Sequence, residues 1–139
     1  MKYSDLIQLY FERSNALQGY WTLYVVIVGG LLAFSSLRKL PAALTTLIVS
    51  VLFGLFAYEN LDAIQQTTVV RYRALDAIKQ SDASAPEVKA VRELLEPALT
   101  PATMSSVRTT HLVSDILTIA ALWAMELRRR KAATSVAAL

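Results

Sequence analysis

The sequence of 139 residues contains no cysteine and only one histidine. Without cysteine there is no disulfide bond, no thiolate metal site and no cysteine nucleophile. The sequence also lacks a glycine-rich phosphate loop, a metalloprotease motif and a Ser/His/Asp set with plausible geometry. The sequence therefore lacks the residue sets that the classical types of enzyme use for catalysis. We expect no cofactor and no bound metal, and on balance a protein that is not an enzyme.

Charged residues are absent from two long stretches. None lies between Arg13 and Arg38, and none lies between Lys39 and Glu59. Each stretch supplies about the twenty residues that an α-helix needs to cross roughly 30 Å of hydrocarbon. A hydrophobic content of 55% and a mean hydropathy of +0.42 are high for a soluble domain of this size. The sequence thus predicts two membrane spans.

A third candidate span near the C-terminus carries ionisable groups. Residues 110–130 read THLVSDILTIAALWAMELRRR, an apolar run that includes His111, Asp115 and Glu126. A carboxylate in hydrocarbon is costly, so an intramembrane acid is a functional-site hypothesis by default. Glu126 has Arg129 and Arg130 at i+3 and i+4, which predicts ion pairs near the membrane edge. Asp115 lies deeper and needs another explanation.

Apolar periodicity and the positions of proline divide the chain into helical segments. The predicted fold class is an all-α integral membrane protein. It has three transmembrane helices, an N-terminal amphipathic helix and a helical extramembrane cap between helices two and three. We expect one membrane domain over residues 1–139, with an interfacial helix at 1–15, spans at 16–37, 41–60 and 108–128, a continuation of the second helix to about residue 80, a helical loop at 81–107 and a basic tail at 129–139.

Two helix starts in the loop have sequence signatures. Ser84 followed by Glu87 three residues later predicts a capping box for a short helix that begins at Pro86. Thr100 and Pro101 predict the cap and first turn of the last helix.

Basic residues mark one end of the predicted spans. Two lie in the short turn between the first and second spans, and four follow the third span. Because lysine and arginine at span ends favour the cytoplasmic side, we expect the cell (inner) membrane, several passes, the N-terminus outside and the C-terminus in the cytoplasm. This topology accounts for the net charge without a nucleic-acid partner. The predicted topology anchors are Arg38, Lys39, Arg128, Arg129, Arg130 and Lys131.

Asp115 belongs to a predicted polar stripe. His111 at i−4 and Thr118 at i+3 share its helix face, and Ser114 is close by. Counting 1.5 Å per residue from Arg128 places Asp115 about 20 Å from the inner edge. In antiparallel neighbours, Tyr24 and Gly54 lie at that level. The candidate intramembrane polar site comprises Asp115, His111, Thr118, Ser114, Tyr24, and, one turn further out, Tyr58 and Glu59.

Four roles for Asp115 stay open on the sequence alone. It accepts a hydrogen bond from Tyr24, Tyr58 or His111 and so ties helices together, or it handles protons or cations with His111. It helps to bind a metal with His111 and with Glu59 or Asp62, or it pairs with a charge on a partner subunit.

Each predicted span also carries a pair of small residues four positions apart, which permits close helix packing in lipid. These pairs fit either an intramolecular three-helix bundle or lateral docking on another membrane protein. They are Gly29 and Ala33, Ser50 and Gly54, and Ala120 and Ala124.

The leading functional hypothesis is a small non-enzymatic integral membrane protein that acts as an accessory, assembly or scaffold subunit through helix–helix contacts. Its partners are then the lipid bilayer and other membrane protein subunits, or copies of itself. One alternative is an oligomeric proton or cation conduit that uses a polar seam of His111 and Asp115. Another is a membrane-embedded metal-binding protein or enzyme. The first is favoured by apolar faces outside the spans, at Leu75, Ile78, Val88, Val91, Leu94 and Leu95.

Overall fold

The computed structural model describes residues 2–82 and 84–137. These residues form four α-helices, α1 (Tyr3–Leu37), α2 (Ala43–Gln80), α3 (Pro86–Leu95) and α4 (Met104–Ala137), and a 3₁₀ turn at Glu96–Ala98. No strand occurs in this part of the chain, and the predicted all-α class is confirmed. Met1, Ala83, Ala138 and Leu139, which fall within predicted segments, lie outside the described residues.

Three of the helices have the dimensions of membrane spans. α1, α2 and α4 are each long and apolar enough to cross a bilayer. They are 35, 38 and 34 residues long, so each exceeds the twenty or so residues that a span requires. The three long helices are consistent with a multi-pass membrane protein, as the sequence predicted.

The boundaries differ from those expected. An interfacial helix separate from the first span is not present, because α1 runs unbroken from Tyr3 to Leu37. Ser14 sits at the expected boundary, and its hydroxyl donates to the Tyr10 carbonyl at 2.8 Å within the helix. No proline interrupts this stretch. Likewise α4 continues to Ala137 through the expected basic tail, where arginine, lysine and alanine are strong helix formers.

Of the two predicted helix starts in the loop, the start at Pro86 is confirmed but lacks the predicted capping box, and the start at Pro101 is wrong. The N-cap of α3 is Ala85, without a side-chain cap, and the Ser84 amide instead donates to Asp82 Oδ1 at 3.2 Å. α4 begins three residues later than Pro101, with the Thr103 hydroxyl accepting from the Ser106 amide at 3.2 Å. The Tyr72 hydroxyl donates to the carbonyls of residues 101 and 102, and so holds this segment outside the helix.

Contacts divide the chain into two compact units. Unit 1 comprises Met1–Trp21 and Asp62–Val107, and unit 2 comprises Thr22–Leu61 and Arg108–Leu139. The boundaries fall inside α1, α2 and α4, so each long helix contributes a segment to both units.

Unit 1 has an apolar core. Its buried cluster comes from α1, α2 and the segment after the 3₁₀ turn, and consists of Leu6, Tyr10, Ala74, Leu75, Ile78 and Leu99. At its edge Arg71 donates to the Tyr10 hydroxyl at 3.1 Å. The Arg92 guanidinium donates to the carbonyls of Ile78 and Lys79 at the end of α2 and to that of Ser81, just after it. The orphan carbonyls at the end of α2 are thereby satisfied, and α3 is attached to that end.

Unit 2 has the opposite pattern. Among the residues of unit 2 that the structure describes, eleven are buried and seven of these are polar or charged. The seven are Ser35, Thr46, Ser50, Asn60, His111, Thr118 and Glu126, and the others are Tyr24, Phe53, Ala57 and Leu122. Leucine, valine, isoleucine and phenylalanine side chains occupy much of its exposed surface. A large exposed apolar surface marks a region that contacts protein or membrane.

Ile78 provides a test of the unit 1 core. Its side chain is fully buried, and Ile78→Ala should destabilise unit 1 by about 2–5 kcal/mol because it removes buried methyl groups and leaves a cavity. Backbone amides in residues 62–80 should then exchange faster with deuterium. The control Leu94→Ala removes a side chain that is 81% exposed and should have little effect. Equal exchange rates in the two variants would contradict this core.

Candidate functional site

His111 and Asp115 lie one turn apart on α4 and contact both other long helices. His111 Nδ1 is 2.9 Å from Asp115 Oδ2, and His111 Nε2 is 3.1 Å from Asn60 Oδ1 on α2. The Tyr24 hydroxyl on α1 donates to Asp115 Oδ1 at 2.8 Å. We call Tyr24, Asn60, His111 and Asp115 the His111 cluster. Its hydrogen bonds join α1, α2 and α4 at one level.

Aromatic rings shelter the His111 cluster. The Tyr24 and His111 ring centroids are 4.4 Å apart, and Phe53 and Phe56 lie beside Tyr24 with centroids 6.3 and 6.5 Å away. His111 is fully buried and the Asp115 side chain is 15% exposed. Hydrogen bonds are electrostatically stronger in surroundings of such low polarity than in water.

The Asp115 carboxyl group has hydrogen-bond partners within the chain. One of its oxygens accepts from the Tyr24 hydroxyl, and the other lies 2.9 Å from His111 Nδ1. An acid with such partners is less costly in an apolar region than one that lacks them.

The other residues of the predicted polar stripe hydrogen-bond within α4, and the Ser114 side chain also hydrogen-bonds to that of Tyr24. Thr118 is buried, but its hydroxyl donates to the Ser114 carbonyl at 2.8 Å. The Ser114 hydroxyl donates to the Thr110 carbonyl at 2.8 Å. Both hydrogen bonds stay within α4, as is common for serine and threonine in helices.

The structure does not bring Tyr58 and Glu59 into the cluster. Tyr58 is 72% exposed and Glu59 is exposed, whereas the next residue, Asn60, is buried against His111. The reason is the rotation of the helix. Buried positions in α2 recur at Thr46, Ser50, Phe53, Ala57, Asn60 and Ile64, at spacings of three and four that Tyr58 and Glu59 do not share. That periodicity is the sequence signal that identifies Asn60.

The hypothesis of a metal site is not supported by a cluster of ligands. Among the described residues there is no group of three or more His, Asp or Glu side chains that could hold a metal ion. Asp62 accepts a hydrogen bond from Gln66 at 2.6 Å on its own helix.

A second buried polar cluster surrounds Glu126, which was not among the candidate site residues. The predicted ion pairs are present, with Arg129 Nη2 and Arg130 Nε at 3.1 and 3.2 Å from the carboxylate. Arg38 Nη2 is 3.5 Å away, and the Thr46 hydroxyl donates to Glu126 Oε2 at 3.2 Å. The Glu126 side chain is completely buried rather than extended toward the surface. We call Arg38, Thr46, Glu126, Arg129 and Arg130 the Glu126 cluster.

The Glu126 cluster also joins three helices. Arg129 Nη1 donates to the Ser35 carbonyl of α1 at 2.7 Å. Arg38 Nη2 donates to the Ala42 carbonyl, at the start of α2, at 3.1 Å. The carboxylate belongs to α4, so the cluster fixes one end of unit 2. The other predicted topology anchors, Lys39, Arg128 and Lys131, are exposed.

Two of the three small-residue pairs remain uncovered in the chain. Gly29 and Ala33 on α1 are exposed, as are Ala120 and Ala124 on α4. A Cβ atom added at Gly29 would meet no atom within 4 Å. Ser50 in the α2 pair is buried and donates to the Thr46 carbonyl at 2.8 Å, and Gly54 is half-buried. Helix packing within unit 2 therefore does not use the pairs on α1 and α4.

Glu126 provides a test of the second cluster. Glu126→Gln removes the charge that faces three guanidinium groups. It should lower the free energy of unfolding of the detergent-solubilised protein by about 1–3 kcal/mol, and so lower its melting temperature. The control Glu59→Gln makes the same change at an exposed position of α2 and should leave the melting temperature unchanged. Indistinguishable melting temperatures for the two variants would rule out a stabilising role for this cluster.

Comparison with known proteins identifies no relative of the chain. No protein-family model, curated protein or solved structure matches the chain. Functional proposals consequently depend on the geometry of its own residues.

Proposed function

We propose that the chain is a small non-enzymatic integral membrane protein that acts as an accessory, assembly or scaffold subunit through helix–helix contacts. Its site of action is the cell (inner) membrane, with the N-terminus outside and the C-terminus in the cytoplasm. Its partner is a helix of another membrane protein subunit or of a second copy.

The burial pattern of unit 2 supports insertion into lipid. Its interior is mostly polar and hydrogen-bonded, and its surface is largely apolar. In water this arrangement would expose hydrophobic side chains over most of three helices. In a bilayer the same arrangement is favourable, because lipid tails solvate apolar side chains and polar groups must find partners inside the protein.

The basic end of unit 2 supports the orientation. Arg38, Lys39 and residues 128–131 lie at the end that contains the turn between α1 and α2 and the last turns of α4. Lysine and arginine close to the ends of spans are retained on the cytoplasmic side.

The uncovered small-residue pairs carry the proposal of helix–helix contacts. Helices in lipid associate through close van der Waals packing, for which glycine and alanine at four-residue spacing are suited. Gly29 and Ala33 lie on the exposed face of α1 with open space above the glycine. The side chains of both polar clusters hydrogen-bond within unit 2, so the outer surface of the unit is suited to helix packing rather than to polar chemistry.

The α3 region supports a second contact outside the membrane. α3 has no buried residue, and Val91 and Leu94 are exposed. Arg92 attaches α3 to the end of α2. These apolar side chains are therefore presented on a fixed element, which suits protein–protein recognition.

Gly29 provides the test. The double substitution Gly29→Leu with Ala33→Leu adds bulk to an empty face, so it should leave folding intact but reduce, by tenfold or more, the partner recovered in a pull-down from mild detergent. Gly19→Leu is the matched control, because Gly19 is also exposed on α1 and a Cβ there meets nothing within 4 Å. Native mass analysis distinguishes a second copy from another subunit. Recovery of no partner by the unchanged protein, or equal recovery by all three proteins, would contradict the proposal.

The His111 cluster supports one other function, an oligomeric proton or cation conduit. Its specific support is the distance of 2.9 Å between His111 Nδ1 and Asp115 Oδ2 within an apolar segment, since such pairs occur in proton relays. Three helices alone rarely enclose a pore, so this function requires self-association.

Asp115→Asn separates the two functions. The amide keeps the size of the side chain and can still accept from Tyr24, so expression and partner recovery should be nearly unchanged. Proton flux into proteoliposomes is the measurement, with Asp62→Asn as the control at an exposed acid. A conduit requires flux that Asp115→Asn abolishes and the control retains. We expect no difference in flux among the three proteins, and loss of flux in Asp115→Asn alone would refute the accessory role.

A further inference from the structure

The Glu126 cluster contains more positive than negative charge. Three guanidinium groups face one carboxylate, and the side chains of Arg38 and Arg129 are only 16% and 10% exposed. The other acids of unit 2 are Glu59 and Asp115, and Asp115 lies eleven residues, or about 16 Å, further along α4. Little-exposed cations that lack a counterion are unfavourable. This end of unit 2 therefore favours an anion from outside the chain.

Two observations indicate that the compensation within the chain is incomplete. The Nε atom of Arg129 is buried and has no hydrogen-bond partner among the described residues. Lys39, Arg128 and Lys131 add three exposed cations near the same end. An anion with several acceptor oxygens suits such a set, because guanidinium groups bind phosphate in a fixed planar geometry.

A cleft is present where such an anion would bind. It has a volume of about 400 Å³ and lies between the start of α2 and the last turns of α4. Arg130, half exposed, lines it together with Glu126 and Thr134, and Pro41 and Ala43 form the opposite wall. The Glu126 carboxylate is outweighed by the three guanidinium groups that face it, and the Thr134 hydroxyl donates to the Arg130 carbonyl at 3.0 Å. The N-terminus of α2 adds partial positive charge on the opposite side. A phosphate in the cleft would meet the Arg130 guanidinium.

The surroundings of the cleft favour a lipid over free phosphate. Leu37, Leu40 and Leu44, next to Pro41, have exposed side chains. Acyl chains attached to the phosphate can cover these leucines, whereas inorganic phosphate gains nothing from them. We propose that the cleft beside the Glu126 cluster binds the phosphate headgroup of an anionic phospholipid, with Arg130 and Thr134 as direct contacts. The inference rests on the proposed insertion of unit 2 in a membrane.

Fluorescence quenching by brominated lipids tests the site in the full chain. The protein has two tryptophans; Trp21→Phe leaves Trp123, which lies on α4 seven residues, or about 10 Å, before Arg130. The protein is reconstituted in phosphatidylcholine vesicles that contain 10 mol% of either brominated phosphatidylglycerol or brominated phosphatidylcholine. We expect the anionic lipid to associate at least about fivefold more strongly than the neutral one.

Variants locate the binding residues. The quantity compared is the excess of tryptophan quenching by the anionic lipid over quenching by the neutral lipid. Arg130→Gln should remove most of this excess, and Thr134→Val should lower it without altering the charges around Glu126. Arg108→Gln is the matched control, because it removes one exposed charge from the opposite end of the unit 2 segment of α4. An equal loss of quenching in Arg108→Gln, or none in Arg130→Gln and Thr134→Val, would overturn the assignment.

Two further arms separate the possible failures. Quenching by the neutral brominated lipid reports insertion alone, so its absence would refute the membrane proposal. Equal quenching by neutral and anionic lipids would refute the lipid site while leaving insertion intact. Displacement of the anionic lipid by millimolar inorganic phosphate would show that the cleft selects phosphate in general, and would overturn the assignment to a lipid.

Discussion

The need to neutralise two carboxyl groups inside an apolar region determines how unit 2 is built. Asp115 and Glu126 belong to α4, and both are compensated by side chains from elsewhere in the unit. Tyr24 and Asn60 complete one cluster, and Arg38 and Thr46 complete the other. The clusters lie about 16 Å apart along α4. Because each joins all three long helices, together they fix both the rotation and the axial position of α1 and α2 relative to α4. A shift of either helix by one residue would break the hydrogen bonds of Tyr24, Asn60 or Thr46 and leave buried polar groups without partners.

The same helices solve the packing problem differently in unit 1. Three of the five buried residues of α2 in unit 2 are polar, whereas four of the six in unit 1 are apolar. The polar residues are Thr46, Ser50 and Asn60 in unit 2, and the apolar residues are Ile64, Ala74, Leu75 and Ile78 in unit 1. The buried positions therefore become more apolar along the helix. An apolar core gains free energy only when its surroundings are aqueous, whereas helices surrounded by lipid gain it from close packing and internal hydrogen bonds. This change in buried chemistry along one helix is consistent with the proposed insertion of unit 2 in a bilayer.

Much of the fold could be predicted from the sequence, because the runs without charge and the positions of proline determine where long helices form. Less of the site was predictable. Counting residues from Arg128 gives the depth of Asp115 and so indicates Tyr24, which donates to it. The depth of a residue does not determine how its helix is rotated about its axis. For that reason the sequence predicts Tyr58 and Glu59 at the place where the structure has Asn60. The ion pair between Arg38 and Glu126 was equally unpredictable, because helical periodicity does not give the conformation of the turn that carries Arg38. The cap of α3 and the start of α4 were missed because Asp82 and Tyr72, which hold the preceding segments, act through contacts that a local motif does not include.

The two clusters also bear jointly on what unit 2 can do. A cation or proton that moved along the interior from the His111 cluster would next approach the Glu126 cluster, where three guanidinium groups share one carboxylate. Arginine at such a point excludes cations and protons from a pathway. A phosphate bound in the cleft would reduce this barrier but would also occupy the exit. The charge distribution therefore argues against the conduit and for the proposed accessory role, in which the contact between His111 and Asp115 joins helices. In that proposed role the protein would act through its surface, where the uncovered small residues of α1 and α4 are suited to packing against another helix.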